Sequence, residues 1–249
     1  MAKTHQTAWT AIAAAVMVAV AAAAAVVITT DHHEADTAPP PPQLFHDVIT
    51  VASLLDALPV VDDIDSTARW PDGQRLAELL VRPAGSDHGC DTRNIALAAE
   101  LEAVKFAVGT DNCVVAQGVL NDPYTGVTVE FDAASEKDAA AIDYVYPLDA
   151  AWALGAAAWA PEQQQRFVSD VQTNIIVASA QAVEHRAQRG LSQWHPSNDD
   201  LACAFAAKYL RVAQTYALPI TRGDAVAATQ LCGLGNTAVT TAGETEPAN

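Results

Sequence analysis

Four cysteines, Cys90, Cys113, Cys203 and Cys232, carry the most readable chemistry in this sequence. Their number is even, and no two are spaced as C-x2-C or C-x4-C, the spacings that zinc-thiolate sites favour. They read as two disulfides, Cys90–Cys113 and Cys203–Cys232 if sequence neighbours pair, although four cysteines allow three pairings. Each bridge would contribute about 3 kcal/mol by constraining the unfolded chain; a four-thiolate zinc site is the alternative. Asp62, Asp63 and Asp65 crowd one acidic loop, yet they lack the glycine turn and closing Glu of a calcium-binding helix pair. His32 and His33 are two imidazoles without a third ligand nearby, which suits an exposed stalk better than a metal site. Between Arg166 and Arg222 six basic residues face four acidic ones, a local balance of +2 in a chain of net charge −17. A phosphate-facing surface would have to lie in that stretch, and a solvated helix surface is the simpler reading of it. Trp152, Trp159 and Trp194 suit core packing, with an interaction surface as the alternative.

The elements that must position these groups follow from patterning. The chain has 249 residues and is 51% hydrophobic, enough for one moderate domain or two small ones. Its acidic charge repels polyanions at long range. Ala8 to Ile28 has no charge, Gly or Pro and follows Lys3. That length, about 20 residues, matches a membrane-spanning helix, but alanine is only weakly apolar, and Ala23-Ala24-Ala25 offers small residues for a signal peptidase. Residues 1–30 are therefore a signal peptide or an N-terminal membrane anchor, and the positive-inside bias places the rest of the chain outside the cytoplasm. A proline-rich linker over 31–43 leads to a folded domain over 44–234 and a disordered tail over 235–249. Within the domain, apolar spacing predicts helices over 47–58, 95–105, 148–159, 180–188 and 201–217, and another beginning near Pro161. Strands are predicted over 113–120 and 127–131, joined by the turn formers Asn121 to Gly126, with shorter strands at 142–146 and 175–177.

The order of several short runs carries a resemblance. Gly89-Cys90-Asp91-Thr92-Arg93-Asn94, Asn112-Cys113, Asp122-Pro123-Tyr124-Thr125-Gly126, Ile142-Asp143-Tyr144-Val145, Leu148-Asp149, Asn174-Ile175-Ile176-Val177 and Trp194-His195-Pro196-Ser197-Asn198 occur in that sequence. From about Asp47 to Cys232 the chain resembles the secreted HNH-endonuclease-like proteins of actinobacteria, related to the C-terminal domain of GmrSD-type restriction enzymes. The resemblance implies an α+β fold with a ββα-metal core embedded in additional helices and a β-hairpin. It also implies metal-assisted phosphodiester hydrolysis, with a divalent ion such as Mg²⁺ polarising the phosphate and a histidine activating water. Asp143 falls on the metal-binding acid and Asn174 on the structural Asn. Tyr144 stands where the family has its catalytic His, Val183 where it has a metal-binding Asn, and Arg186 where it has a Lys. A phenol, with a pKa near ~10, is a poor base at neutral pH. His185 is the possible substitute base, and Arg186 and Arg189 are the phosphate-facing candidates. The resulting expectation is an exported, catalytically impaired relative acting as an envelope or extracellular binding module, needing no metal. The alternative is an active metal-dependent extracellular endonuclease with a substituted base. Its partners would be extracellular nucleic acid or an envelope protein, and the membrane itself if the N-terminal segment stays uncleaved.

Overall fold

A computed structural model of the chain describes residues 42–71, 89–135 and 139–235. The N-terminal segment, the linker up to residue 41 and the tail after Gly235 lie outside the described residues. Helix α1 (Pro42–Ala57) opens on a proline, which suits a first helical position because the missing N–H would have no intrahelical partner there. The last two residues of the expected linker therefore belong to the helix. Val51 and Leu54 bury its inner stripe, and Leu58, just past its end, is buried with them, as the spacing predicts. Strand β1 (Val60–Val61) comes next.

Helix α2 (Thr92–Glu100) is capped by Asp91, whose carboxylate accepts the Asn94 backbone N–H at 2.7 Å. The Asn94 side-chain oxygen in turn accepts the Val115 N–H at 2.9 Å. The predicted helix over 95–105 is too long. Leu101 is extended, and β2 (Glu102–Phe106) pairs with β3 (Val115–Asn121), so Lys105 lies in a strand. A short apolar run does not separate the two states; the partner strand does. Strand β4 (Thr128–Asp132) completes a three-stranded sheet in the order β2-β3-β4. The predicted hairpin is present. Asp122 accepts the Tyr124 N–H at 3.0 Å and the Thr125 hydroxyl at 2.7 Å. Gly126 sits at φ +74°, where a side chain would also press on Asn198.

Strand β5 (Ala140–Tyr144) pairs antiparallel with β6 (Ile175–Ser179), Asp143 opposite Ile176. Between them lie α3 (Leu148–Ala153), a 3₁₀ turn (Ala156–Ala158) and α4 (Pro161–Ser169). The single helix predicted over 148–159 breaks at Gly155, whose φ of +134° ends it. Helix α5 (Ala180–Arg186) leaves β6 directly and is capped by the Ser179 hydroxyl. Helix α6 (Asp199–Thr215), strand β7 (Ile220–Thr221) and helix α7 (Arg222–Leu231) complete the order. Strand β7 pairs parallel with β1; neither that pair nor α7 is visible in the periodicity.

The fold is mixed α+β with two disulfides, Cys90–Cys113 and Cys203–Cys232. The first ties the approach to α2 to the loop before β3, and the second ties α6 to the end of α7. Trp70, Trp152, Trp159, Phe167 and Tyr216 form one aromatic cluster, and Tyr124, Trp194 and Phe205 another. The tryptophans of the 148–159 segment and of the 194 loop thus pack against aromatic neighbours. Among the described residues no helix is long and apolar enough to cross a membrane.

Candidate functional site

Asp143 and Tyr144 are adjacent on β5, so their side chains leave opposite faces of the strand. Asp143 points to α5 and is only 5% exposed. One carboxylate oxygen accepts a hydrogen bond from the Arg186 guanidinium at 2.7 Å and another from the Tyr124 hydroxyl at 2.8 Å. The other oxygen accepts the Tyr144 backbone N–H at 2.8 Å. Both oxygens are therefore committed, and every neighbour that meets them is a donor.

Arg186, the last residue of α5, is 1% exposed. Its guanidinium also donates to the backbone carbonyls of Tyr144 and Val145. It lies 5.4 Å from the Trp194 ring centre and 5.3 Å from that of Phe205. Burying a charge is costly unless it is paired and hydrogen-bonded, and here a carboxylate, two carbonyls and two ring faces do both. Burial works against the Arg186 charge, but Tyr124 and Asp143 beside it raise its pKa nonetheless. Its Nε alone is buried without a partner. The expected phosphate-facing role for Arg186 is corrected by this placement: the side chain turns into the core, drawn by Asp143.

Tyr144 reaches the other way, where its hydroxyl donates to the Val168 carbonyl at 3.3 Å. Burial, with Asp143 next to it, pushes its phenol well above the usual range. It is a neutral, packed side chain. Asn174 is fully buried and cross-links main chain: its oxygen accepts the Tyr146 N–H at 3.1 Å and its amide donates to the Phe167 carbonyl at 3.1 Å. That bond joins the end of β5 to α4. Val183 packs partly buried against the core.

His185 is not drawn to Asp143. It is exposed on α5 and lines an open groove of about 620 Å³ with Tyr124, Arg189 and His195. Arg189 is half-buried and donates to the Arg186 carbonyl at 2.9 Å and to the His185 carbonyl. These are the carbonyls left open at the end of α5, and a guanidinium there also suits the negative end of the helix.

The structure thus joins Asp143 to Arg186 and turns the Tyr144 phenol and the His185 imidazole away from that pair. Tyr124, Trp194 and Phe205 complete the buried centre and were missed as site residues. Tyr124 carried a faint signal: a large aromatic in a turn otherwise made of small and polar residues is out of place unless it is buried. Among the described residues, no three or more His, Cys, Asp or Glu side chains are grouped to hold a metal ion.

No family model matches the chain, and no solved structure matches it. It is similar to an "uncharacterized secreted protein" of Arthroderma benhamiae, 28% identical over 172 residues, spanning 63% of this chain and 80% of that one.

Proposed function

We propose that this is an exported domain of HNH-endonuclease-like descent in which a hydrolytic centre has become a structural ion pair. Its remaining role is binding, outside the cell or at the envelope. The observation that carries the reading is the Asp143–Arg186 contact. Two antiparallel strands followed directly by a helix, with a carboxylate on the first strand and a basic residue on the helix, agree with a strand-strand-helix ancestry. Hydrolysis of a phosphodiester on that unit needs a bound cation and a base near neutrality. The residues present do not fit a divalent ion: the guanidinium already occupies Asp143, the other groups on that carboxylate are donors, and Val183 has nothing to ligate with. Nor does Tyr144 fit a base, since its phenol is held protonated and bonded to a carbonyl.

Export is supported by the apolar N-terminal run, by the two disulfides, which persist in oxidising compartments, and by the secreted relative. The net charge of −17 disfavours long nucleic acids as ligands. The competing reading, a metal-dependent endonuclease with His185 as base, requires Arg186 to vacate Asp143. The test is incubation of the full chain with supercoiled plasmid and with RNA in Mg²⁺, Mn²⁺ or Zn²⁺. No cleavage above background is expected. Cleavage by the unaltered chain that disappears in Asp143→Asn would overturn the proposal.

A further inference from the structure

The groove beside α5 differs in lining from the rest of this acidic chain. Two imidazoles, His185 and His195, and the Arg189 guanidinium reach its wall, with Thr125, Gln181 and Ser197 between them. Among the described residues no carboxylate lines it, although Asp and Glu outnumber Lys and Arg by 30 to 13 in the sequence. The donors left for a ligand come from two pieces of chain, Gln181 and His185 on helix α5 and Arg189 and His195 on the loop after it; the hydroxyls of Thr125, in the hairpin turn, and of Ser179 are spent on the buried Asp122. That loop is held against the turn, because Ser197 donates its N–H to the Tyr124 carbonyl at 2.9 Å and its hydroxyl to the same oxygen at 3.2 Å. The floor is rigid as well. Tyr124 is bonded to Asp143 and packs 4.6 Å from Trp194, ring centre to ring centre. The groove is of a size that holds small molecules.

We infer that this groove binds the tetrahedral oxyanion of a small phosphate or sulfate ester. A guanidinium, two imidazoles and a side-chain amide suit a compact group with several charged oxygens better than a singly charged carboxylate. A compact anion is favoured over a long polyanion by what lies next door. Arg189, Ser192 and Gln193 also line a second groove of about 530 Å³, whose walls include Asp62, Asp63, Asp65 and Asp149. A polymer leaving over the shared wall would run onto those carboxylates, while a small ester would not reach them. The inference goes beyond the function proposed above and does not lean on it, since it needs the groove and not its ancestry. A failed plasmid test leaves it standing, and its own failure leaves the ion-pair reading standing.

The experiment is a calorimetric titration of the full chain, in a non-ionic detergent, with inorganic phosphate, inorganic sulfate and acetate at matched ionic strength. Saturable binding of phosphate or sulfate is expected, and which of the two binds tighter identifies the ester. The double variant His185→Gln with His195→Gln should weaken it about ten-fold or more, the scale of one or two lost charge-assisted hydrogen bonds. Gln181→Glu, which adds a carboxylate at an exposed wall position, should weaken it as much while keeping both histidines. Both variants should keep the near-ultraviolet circular dichroism of the parent chain. Absence of saturable binding, equal binding of acetate, or binding that survives both variants would overturn the inference.

Discussion

Asp143 and Asp224 are both buried carboxylates, 5% and 3% exposed; Asp143 lies behind Tyr124, which lines one of the two grooves that share the Arg189–Gln193 wall, and Asp224 lines the other. Asp143 is met by a cation, Arg186, and by the hydroxyl of Tyr124. Asp224, on α7, is met by neutral donors: the Ser192 N–H at 2.8 Å, the Tyr209 hydroxyl at 3.0 Å and the Thr221 hydroxyl at 2.7 Å. The first carboxylate is cancelled where it stands, and among the described residues no carboxylate lines the groove floored by Tyr124. The second is met by neutral donors and lines the acidic groove with Asp62, Asp63, Asp65 and Asp149. Choice of partner for a buried charge therefore reaches the surface: it decides which sign of ligand each groove tolerates.

The strongest way to break this contrast is to remove the partner on one side. Arg186→Met leaves a buried charge unpaired and should cost about 3–5 kcal/mol in urea unfolding. Asp224→Asn removes a charge but strands none, so it should cost only about 1–3 kcal/mol. Asp143→Leu combined with Arg186→Met should recover most of the first loss, because replacing both partners removes the orphan. If Arg186→Met costs no more than Asp224→Asn, the two centres are not different in kind.

The next effect sharpens the Asp224 side. The Cys203–Cys232 bridge holds α6, which carries Tyr209, to α7, which carries Asp224. Replacing both cysteines by serine should cost about 3 kcal/mol. Amide exchange should then accelerate in α7 and leave α5 unchanged; equal acceleration in both helices would show that the centres unfold as one unit.

A smaller effect per group touches both sides. Tyr124 and Tyr144 beside Asp143, and Tyr146 and Tyr209 near Asp224, all have phenols pushed above their ordinary range, by burial first and with the nearby carboxylate adding to it. The folded chain keeps these protons after the unfolded chain has lost them. Their contribution is whole below about pH 10, the unfolded value, and is lost as pH rises through the folded values. Stability should fall by up to about 1.4 kcal/mol per pH unit for each phenol above that point. Melting temperatures followed together with tyrosinate absorption check it. Phenols that ionise before the fold melts would contradict the burial on which both centres depend.

Much of the local structure was legible in the chain. The hairpin was readable because Asn121, Asp122, Pro123 and Gly126 each favour turn geometry for their own stereochemical reason. The helix at 201–217 and the short strand at 175–177 were readable from periodicity and β-branching, and the strand expected at 142–146 was found two residues earlier, at Ala140–Tyr144. The disulfide pairing followed sequence order, which is one of three possibilities and needed coordinates to choose. Lys105 was placed in a helix because Leu97, Leu101 and Val104 suit either state until β3 supplies a partner. The β1–β7 pair is two residues long in each strand and parallel, so it leaves no pattern at all.

The candidate site divides in the same way. Residue types alone said that Tyr144 would be a poor base and that Val183 has no atom to ligate with, since pKa and donor atoms belong to the side chain wherever it lies. Types alone also said that this acidic chain, with a leading apolar run and four cysteines, suits life outside the cytoplasm. Where Arg186 would point was not in the string. A basic residue at a short helix's end is as compatible with solvent as with a buried carboxylate, because its long stem reaches both. The choice came from Asp143, Trp194 and Phe205, which lie 43, 8 and 19 positions from Arg186 in sequence and meet it only once β5, α6 and the 194 loop have packed. Local propensity is a property of neighbours along the chain; the identity of a buried charge's partner is a property of neighbours in space.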